Sequence, residues 1–489
     1  MTTIPLQSIR FPGINNKYIL PVNEAKVYGA KWNRTSNLMT RTDAAADITT
    51  TTTNFCHKGD INPNYDNPFD SIYPWSEMQV VNVDMVKYRS GNYSLKQCIK
   101  AVYGDPDFTY FGDNETFVGR YRPPFWYRST EDTEGNVTFQ VSQSPKIGYK
   151  FSDESIAGIS FCVDAGDSKV TSGAGVPLTN IAVSTIHARA KASGFTLMNI
   201  DDLDAEIVLY LVEYANMNCQ NAIGDGCSSC YRQNEADAIT GVDNSGDVTI
   251  FTIDNSAFSA AAYKGAQVSI GASVGAVMYK AIIADVSLSG TVYTITLDRK
   301  LDSITTGMYV SVHGFATCEF PYIGKSLGNA SGYLGTASKA NAFYRGRMLW
   351  ANRYNYVLGI YRQTNTNHLW ICPEGIDPDD YDALNTTVHR DTDTALPDIA
   401  AAWCTVGSNA QRIAGLEGFM ATGASNGSSA SPVGDQQYVP AITAGNAILL
   451  AGGSAGIGWS CGLFCGLWGA GSGASRWDSA GSPLLKNPQ

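Results

Sequence analysis

The spacing of a nucleophile elbow, G-x-S-x-G, recurs in this glycine-rich chain, and two of its matches are Gly458-Trp459-Ser460-Cys461-Gly462 and Gly271-Ala-Ser273-Val-Gly275. An elbow needs a helix directly after its serine and, later in the chain, the histidine that activates it. The first match is followed by glycine-rich sequence that cannot supply the helix, and the last histidine, His389, lies upstream. The second falls in a β-rich stretch too small for the required sheet and helices. Both are chance matches. The five histidines, His57, His187, His313, His368 and His389, show no paired metal spacing and read as surface or hydrogen-bonded structural residues. Gly469-x-Gly471-x-x-Ala474 imitates a dinucleotide fingerprint, but too little chain follows for a helix and a second strand.

Cys461 and Cys465 form the only close thiol pair of the C-terminal region, and on an alternating strand a spacing of four puts both on one face. Nothing around them in sequence would lower a thiol pKa. Cys227-Ser-Ser-Cys230, with Cys219 upstream and Cys318 downstream, is half a zinc site at best, so metal, a local disulfide and free thiols all stay open. Eleven cysteines is an odd number, and most read as small buried hydrophobes. The densest acidic cluster, Asp377-Pro-Asp379-Asp380-Tyr-Asp382, lacks the glycine and closing glutamate of an EF-hand loop. The residues therefore assign no catalytic group, no metal and no cofactor.

The elements that would carry a site are uneven. With 489 residues the length prior is about three domains of ~150 residues. Residues 1–58 are polar and irregular and read as an N-terminal attachment or oligomerisation segment. Aromatics crowd Pro63 to Tyr127, and Tyr93 to Tyr103 has the spacing of a short helix with Leu95, Cys98, Ile99 and Val102 on one face. From Asn199, residues Leu203, Ile207, Tyr210, Leu211 and Tyr214 recur at helical spacing, with Asp201 as N-cap, Asp204 as capping-box acid, and Gly224 and Gly226 as the stop. Between residues 235 and 317 the pattern becomes short alternating runs, from Val248–Ile253 to Met308–Val312, which predicts an inserted small all-β barrel or sandwich. A Gly/Ser loop covers Gly423 to Gly434. The net charge of -11, without a Lys/Arg cluster, argues against nucleic acid, and no run approaches the apolar length of a membrane span. The N-terminus carries no export signal, so release by lysis or assembly is expected.

The tract from Ala451 to Leu485 is the chain's most unusual composition: ten glycines between Gly452 and Gly481, with Leu463, Phe464, Leu467, Trp468 and Trp477 among them. Such glycine density excludes a long helix, and such aromatics exclude a solvated linker, so packed short strands with tight turns are expected. Gly452-Gly453, Gly458, Cys461-Gly462-Leu463-Phe464, Trp477, Gly481-Ser482 and Leu484-Leu485 resemble the C-terminal variable region of proteins diversified by retroelements, a group that includes phage major tropism determinants. Tyr344-Arg345-Gly346-Arg347-Met348-Leu349-Trp350-Ala351-Asn352, ending at Gly359-Ile360, is similar to an element shared with formylglycine-generating enzymes, and Gly194-Phe195-Thr196-Leu197-Met198 resembles the entry to that fold's long helix.

The resemblance implies an α+β chain with a C-type lectin-like (formylglycine-generating-enzyme-like) fold, split into 59–234 and 318–489 around the insertion. It implies a phage tail receptor-binding protein, carried on the virion as a homotrimer, that binds a host cell-surface receptor, protein or glycan, and docks on other virion tail proteins. A formylglycine-generating-type enzyme and a bacterial adhesin are the alternatives. Neither Glu-Pro-Asn nor Gln-Pro-Asp is present, so sugar binding through calcium is not implied. Positions between the framework residues, namely Ala455, Gly456, Ile457, Trp459, Ser460, Cys465, Gly466, Leu467, Trp468, Gly469, Arg476, Asp478 and Ser479, are expected on one exposed ligand-binding face, with Trp459, Trp468 and Arg476 as anchors.

Overall fold

The spacing of Leu203, Ile207, Tyr210, Leu211 and Tyr214 is realised as one helix, Ile200–Tyr214. Its N-cap is Asn199, whose side chain accepts from the Asp202 backbone N–H, and not Asp201. Asp204 consequently sits past the first turn and is buried. The helix stops at Ala215, in the left-handed region, ahead of Gly224 and Gly226, which lie outside the described residues. Every residue from Asp202 to Tyr214 is buried, so this helix is covered on all sides.

The computed structural model describes residues 26–49, 67–109, 111–173, 177–223, 237–254, 266–273, 278–315, 343–350, 353–373, 375–398, 402–405, 410–421, 435–453, 461–471, 473, 475–476 and 479–487. The chain is mostly β-sheet with few helices. Of the segment expected to be irregular, residues 26–49 are described and hold regular structure: Val27–Trp32 and Met39–Asp43 are two strands of a five-stranded antiparallel sheet, and Ala30 and Trp32 are core residues. The alternation of Tyr28, Ala30 and Trp32 on the buried side supplies the reason. The helix expected over Tyr93–Tyr103 is shorter, Leu95–Cys98, opened by a Ser94/Gln97 capping box and followed by strand Ile99–Val102.

A six-stranded sheet takes Gln79–Asp84, Ile99–Val102, Thr116–Arg122, Ser155–Gly158, Thr196–Leu197 and Pro483–Lys486, the last lying between Thr196–Leu197 and Ser155–Gly158. An eight-stranded sheet is built around Tyr354–Arg362, Ala447–Ala451 and Gly466–Ala470, with Gln436–Val439 and Ala402–Thr405 running out to one edge. One apolar cluster joins the five-stranded sheet, the long helix and one face of the eight-stranded sheet. A second joins the opposite face of that sheet to the six-stranded sheet and helix Val183–Ser193. The eight-stranded sheet is thus covered on both faces along its centre.

Six strands between Asp237 and Phe315 close into an antiparallel barrel filled by Phe251, Ile253, Val268, Ile270, Ile283, Ile295, Leu297 and Val310. Its apolar cluster continues into Val80, Val118, Ile159 and Phe161 of the main body.

Candidate ligand-binding surface

The C-terminal tract is a thread through both large sheets. After strand Ala447–Ala451 the chain turns at Gly452 and Gly453, both in the left-handed region, and a side chain at Gly452 would collide with the Leu349 carbonyl. It re-enters as Cys461–Cys465, a turn closed by the Cys465 N–H donating to the Gly462 carbonyl at 3.1 Å, then forms strand Gly466–Ala470. Ser475–Arg476 pairs with Ile181–Ala182, Ser479–Ala480 runs parallel to Tyr354–Asn355, and Pro483–Lys486 completes the six-stranded sheet.

Under the turn lies Asp435, fully buried, accepting from the Phe464 N–H at 2.8 Å and pressed against the Cα of Gly462. Burial drives its carboxyl well above the usual range, against the pull of the Phe464 hydrogen bond. Burial, reinforced by Asp435, likewise pushes the Cys465 thiol up. Cys461 and Cys465 do not share a face: they flank the turn, and Cys461 enters the cluster around the long helix while Cys465 enters the opposite one.

The expected exposed face divides into three groups. Ala455, Gly456, Ile457, Trp459, Ser460 and Asp478 lie outside the described residues. Cys465, Gly466, Leu467, Trp468 and Ser479 are buried, which corrects the expectation of exposure. The reason is the double-sided cover: Leu467 points into the cluster shared with the six-stranded sheet, Trp468 into the cluster around the long helix, so alternation hides both. Gly469 is exposed and Arg476 half-exposed. Among the framework residues, Leu463, Phe464 and Leu484 are buried.

Gly469 and Arg476 stand beside a feature that the sequence did not single out. Trp403, on the edge strand, is 37% exposed and meets Tyr438 edge-to-face at 5.4 Å. Tyr438 pairs with Leu467 across parallel strands, and a side chain at Gly469 would meet Leu467 Cδ2 at 2.7 Å and approach Arg476 Nη1 at 3.9 Å. One row therefore runs Trp403, Tyr438, Leu467, Gly469, Arg476, buried in the middle and open at the ends. No sequence signal marks Trp403, because its neighbour Tyr438 comes from an antiparallel strand further along the chain and Leu467 from a strand parallel to that one.

Other candidate groups serve the architecture. Asp377 and Asp379 clasp Lys486 at 3.0 and 2.8 Å, and Asn199 donates to Asp379. His187 is buried 4.0 Å from Asp382; burial, with Lys191 adding to it, depresses its pKa to about 4. His389 Nδ1 accepts from the Asn385 N–H, and His368 Nδ1 meets Asp391 at 2.7 Å. His57 and the side chain of His313 are not described. Cys219 Sγ accepts from the Leu463 N–H at 3.2 Å, whereas Cys227, Cys230 and Cys318 are outside the described residues, as is the Gly/Ser loop 423–434.

On the long helix, sequence reading missed Asp202, Glu206 and Glu213 and took Asp204 only for a capping acid. Glu206 and Asp202 meet Arg120, Arg122 and Arg347; Asp204 accepts from Tyr127, from the Gly418 N–H and from Lys150; Glu213 takes Arg345, Tyr344 and Asn67. Arg345 and Gly346 form the two-residue turn of hairpin Phe343–Tyr344/Arg347–Met348, both with positive φ, and a side chain on Gly346 would collide with Val80. That turn lays Arg345 and Arg347 against the helix. No family model and no curated protein matches this chain.

Proposed function

We propose that this chain is a receptor-binding protein of a phage tail, built on a C-type lectin-like scaffold, that grips a host surface molecule where the C-terminal tract meets the Ala402–Thr405 edge. The observation that carries the reading is the row from Trp403 to Arg476: a half-open aromatic pair and a guanidinium, set on a backbone fixed by strand pairing. Aromatic and arginine anchors on rigid strands are the residues that dominate recognition energetics. The buried, high-pKa Cys465 supports binding over thiol chemistry, since a reactive cysteine needs an accessible thiolate. Resemblance supplies the rest: a virion location, a homotrimer and an N-terminal segment docked on other tail proteins, with several weak contacts reinforced by avidity.

The test is attachment of virions, or of the purified chain, to host cells. Trp403→Ala with Arg476→Ala should abolish attachment while the melting temperature moves little. Unchanged attachment removes this surface from the reading. A reverse-transcriptase gene beside the coding region, with an imperfect repeat of its 3′ end differing at adenines, is the genetic counterpart. A stable monomer at micromolar concentration in light scattering would sink the trimer.

A further inference from the structure

Around Glu206 and Asp202 of the long helix the arginines outnumber the acids they meet. Arg120 and Arg122, two residues apart on strand Thr116–Arg122, and Arg347, on the hairpin, all reach Glu206 Oε1: Arg120 in close contact, Arg122 Nη1 at 3.0 Å and Arg347 Nη1 at 3.5 Å. Asp202 takes Arg347 at 2.6 Å and Arg122 at 3.3 Å. Arg120 Nη1 also donates to Glu206 Oε2 at 3.2 Å, and the other polar contacts of these guanidinium groups are neutral, Ser152 Oγ at 3.0 Å and the Asp202 carbonyl at 3.4 Å. All five side chains are 3% exposed or less. Three permanent positive charges therefore face two carboxylates inside the protein, and an arginine cannot shed its proton to relieve the excess.

Neighbouring charge does not redress the balance within this cluster. Arg345 is paired with Glu213 and, at the rim, with Asp70; Asp204 is turned to Lys150 and Tyr127. Arg347 Nη1 and the two Asp202 oxygens meet their neighbours as ion pairs without hydrogen-bond geometry, and four further buried donors have no partner of either kind: the Nε of Arg120, of Arg122 and of Arg347, and Arg347 Nη2. A buried charge without a counter-charge and a buried donor without an acceptor are both strongly unfavourable. One added negative group that accepts hydrogen bonds removes both penalties.

We infer that the cluster binds one small monatomic anion of chloride type, a structural counter-ion that locks strand Thr116–Arg122 and the 343–348 hairpin to helix Ile200–Tyr214. A larger oxyanion does not suit guanidinium groups already gathered on one carboxylate oxygen. The site is independent of the receptor-binding surface.

Bromide is the probe. Crystals of the full chain grown in sodium bromide should show an anomalous peak within hydrogen-bonding reach of Arg347, and no peak at the cluster overturns the inference. In solution, chloride or bromide should raise the melting temperature saturably over gluconate at the same ionic strength, as ligand binding to the folded state requires. Identical melting in all three salts also overturns it. Arg347→Met leaves two guanidinium groups against two carboxylates, and its melting should no longer distinguish the salts. Should that variant fail to fold, the bromide crystal and the wild-type melts still decide.

Discussion

The barrel and the eight-stranded sheet are both made of short strands, yet they use their faces differently. In the barrel Phe251, Ile253, Ile295 and Leu297 fill the inside, while Thr252, Thr294 and Ser287 look outward. In the centre of the eight-stranded sheet neither side looks outward: Ile448 and Leu450 enter one cluster, Ala447, Leu449 and Ala451 the other. A strand with one open face can accept new side chains every second residue, whereas a strand covered twice can accept them nowhere. Among the described residues of the proposed binding row, substitution that leaves this fold intact is therefore expected at Trp403 and Gly469, where the sheet runs out of cover, and at half-exposed Arg476 on its separate strand pair, and not at Leu467 or Trp468.

Six substitutions would break or sharpen that contrast. The largest effect belongs to Trp468→Ala, which should cost about 3 to 5 kcal/mol, with Leu467→Ala costing about 2 to 5 from the other face. Denaturant midpoints measure both, and a loss below about 1 kcal/mol at either position means that face is open.

Next come two glycines in the left-handed region, Gly452 in the sheet and Gly290 in the barrel. Gly290→Ala meets nothing within 4 Å and should cost only the conformational penalty, about 1 to 2 kcal/mol. Gly452→Ala adds a collision with the Leu349 carbonyl, so it should be the worse of the two by thermal melting. Equal losses would mean that the packing around Gly452 yields.

Asp435→Asn tests the polar floor of the tract. Burial raises the carboxyl's folded pKa above its unfolded value near 3.9, so the folded state holds the proton more tightly. That contribution to stability is complete below the unfolded pKa and is lost as pH rises toward the folded one. The asparagine variant should therefore gain on the wild type as pH climbs from about 4 to 8. Melting curves across that range in which the two run parallel would show that Asp435 does not titrate as described. The smallest effect is expected at the barrel surface, where Ser287→Ala should stay within about 0.5 kcal/mol by the same denaturant assay.

Legibility followed the same division. Alternating runs placed the barrel strands because one polar side kept their period visible: the runs Val248–Ile253 and Met308–Val312 overlap strands Ile250–Asp254 and Tyr309–Phe315. The long helix was visible through Leu203, Ile207 and Tyr210, but its cap was displaced because Asn199 and Asp201 are both capping residues and only the turn geometry chooses between them. Trp468 was misread because a glycine-flanked tryptophan carries no mark of a second covered face. The charged side of the helix was hidden for a related reason. Asp202, Glu206 and Glu213 have the spacing of a solvated face, and the arginines that bury them come from residues 120, 122, 345 and 347, joined by tertiary packing alone. Trp403 could not be placed in the row without two registers, the antiparallel one that sets it beside Tyr438 and the parallel one that sets Tyr438 beside Leu467.

Strand Pro483–Lys486 fills the gap between Thr196–Leu197 and Ser155–Gly158, and Ser482 Oγ reaches back to the Ser160 carbonyl, 322 residues away in sequence. At ordinary translation speeds of roughly 5 to 20 residues per second, that separation corresponds to about 15 to 65 seconds during which the earlier strand is already outside the ribosome and its partner does not yet exist. For that interval the edge at Ser155–Gly158 is an unpaired template, able to capture a strand from another nascent chain. A polysome crowded with such half-made molecules is the place where this protein is most exposed to misassembly. A chaperone that covers that edge during synthesis would raise the yield of folded protein without touching the finished molecule's stability.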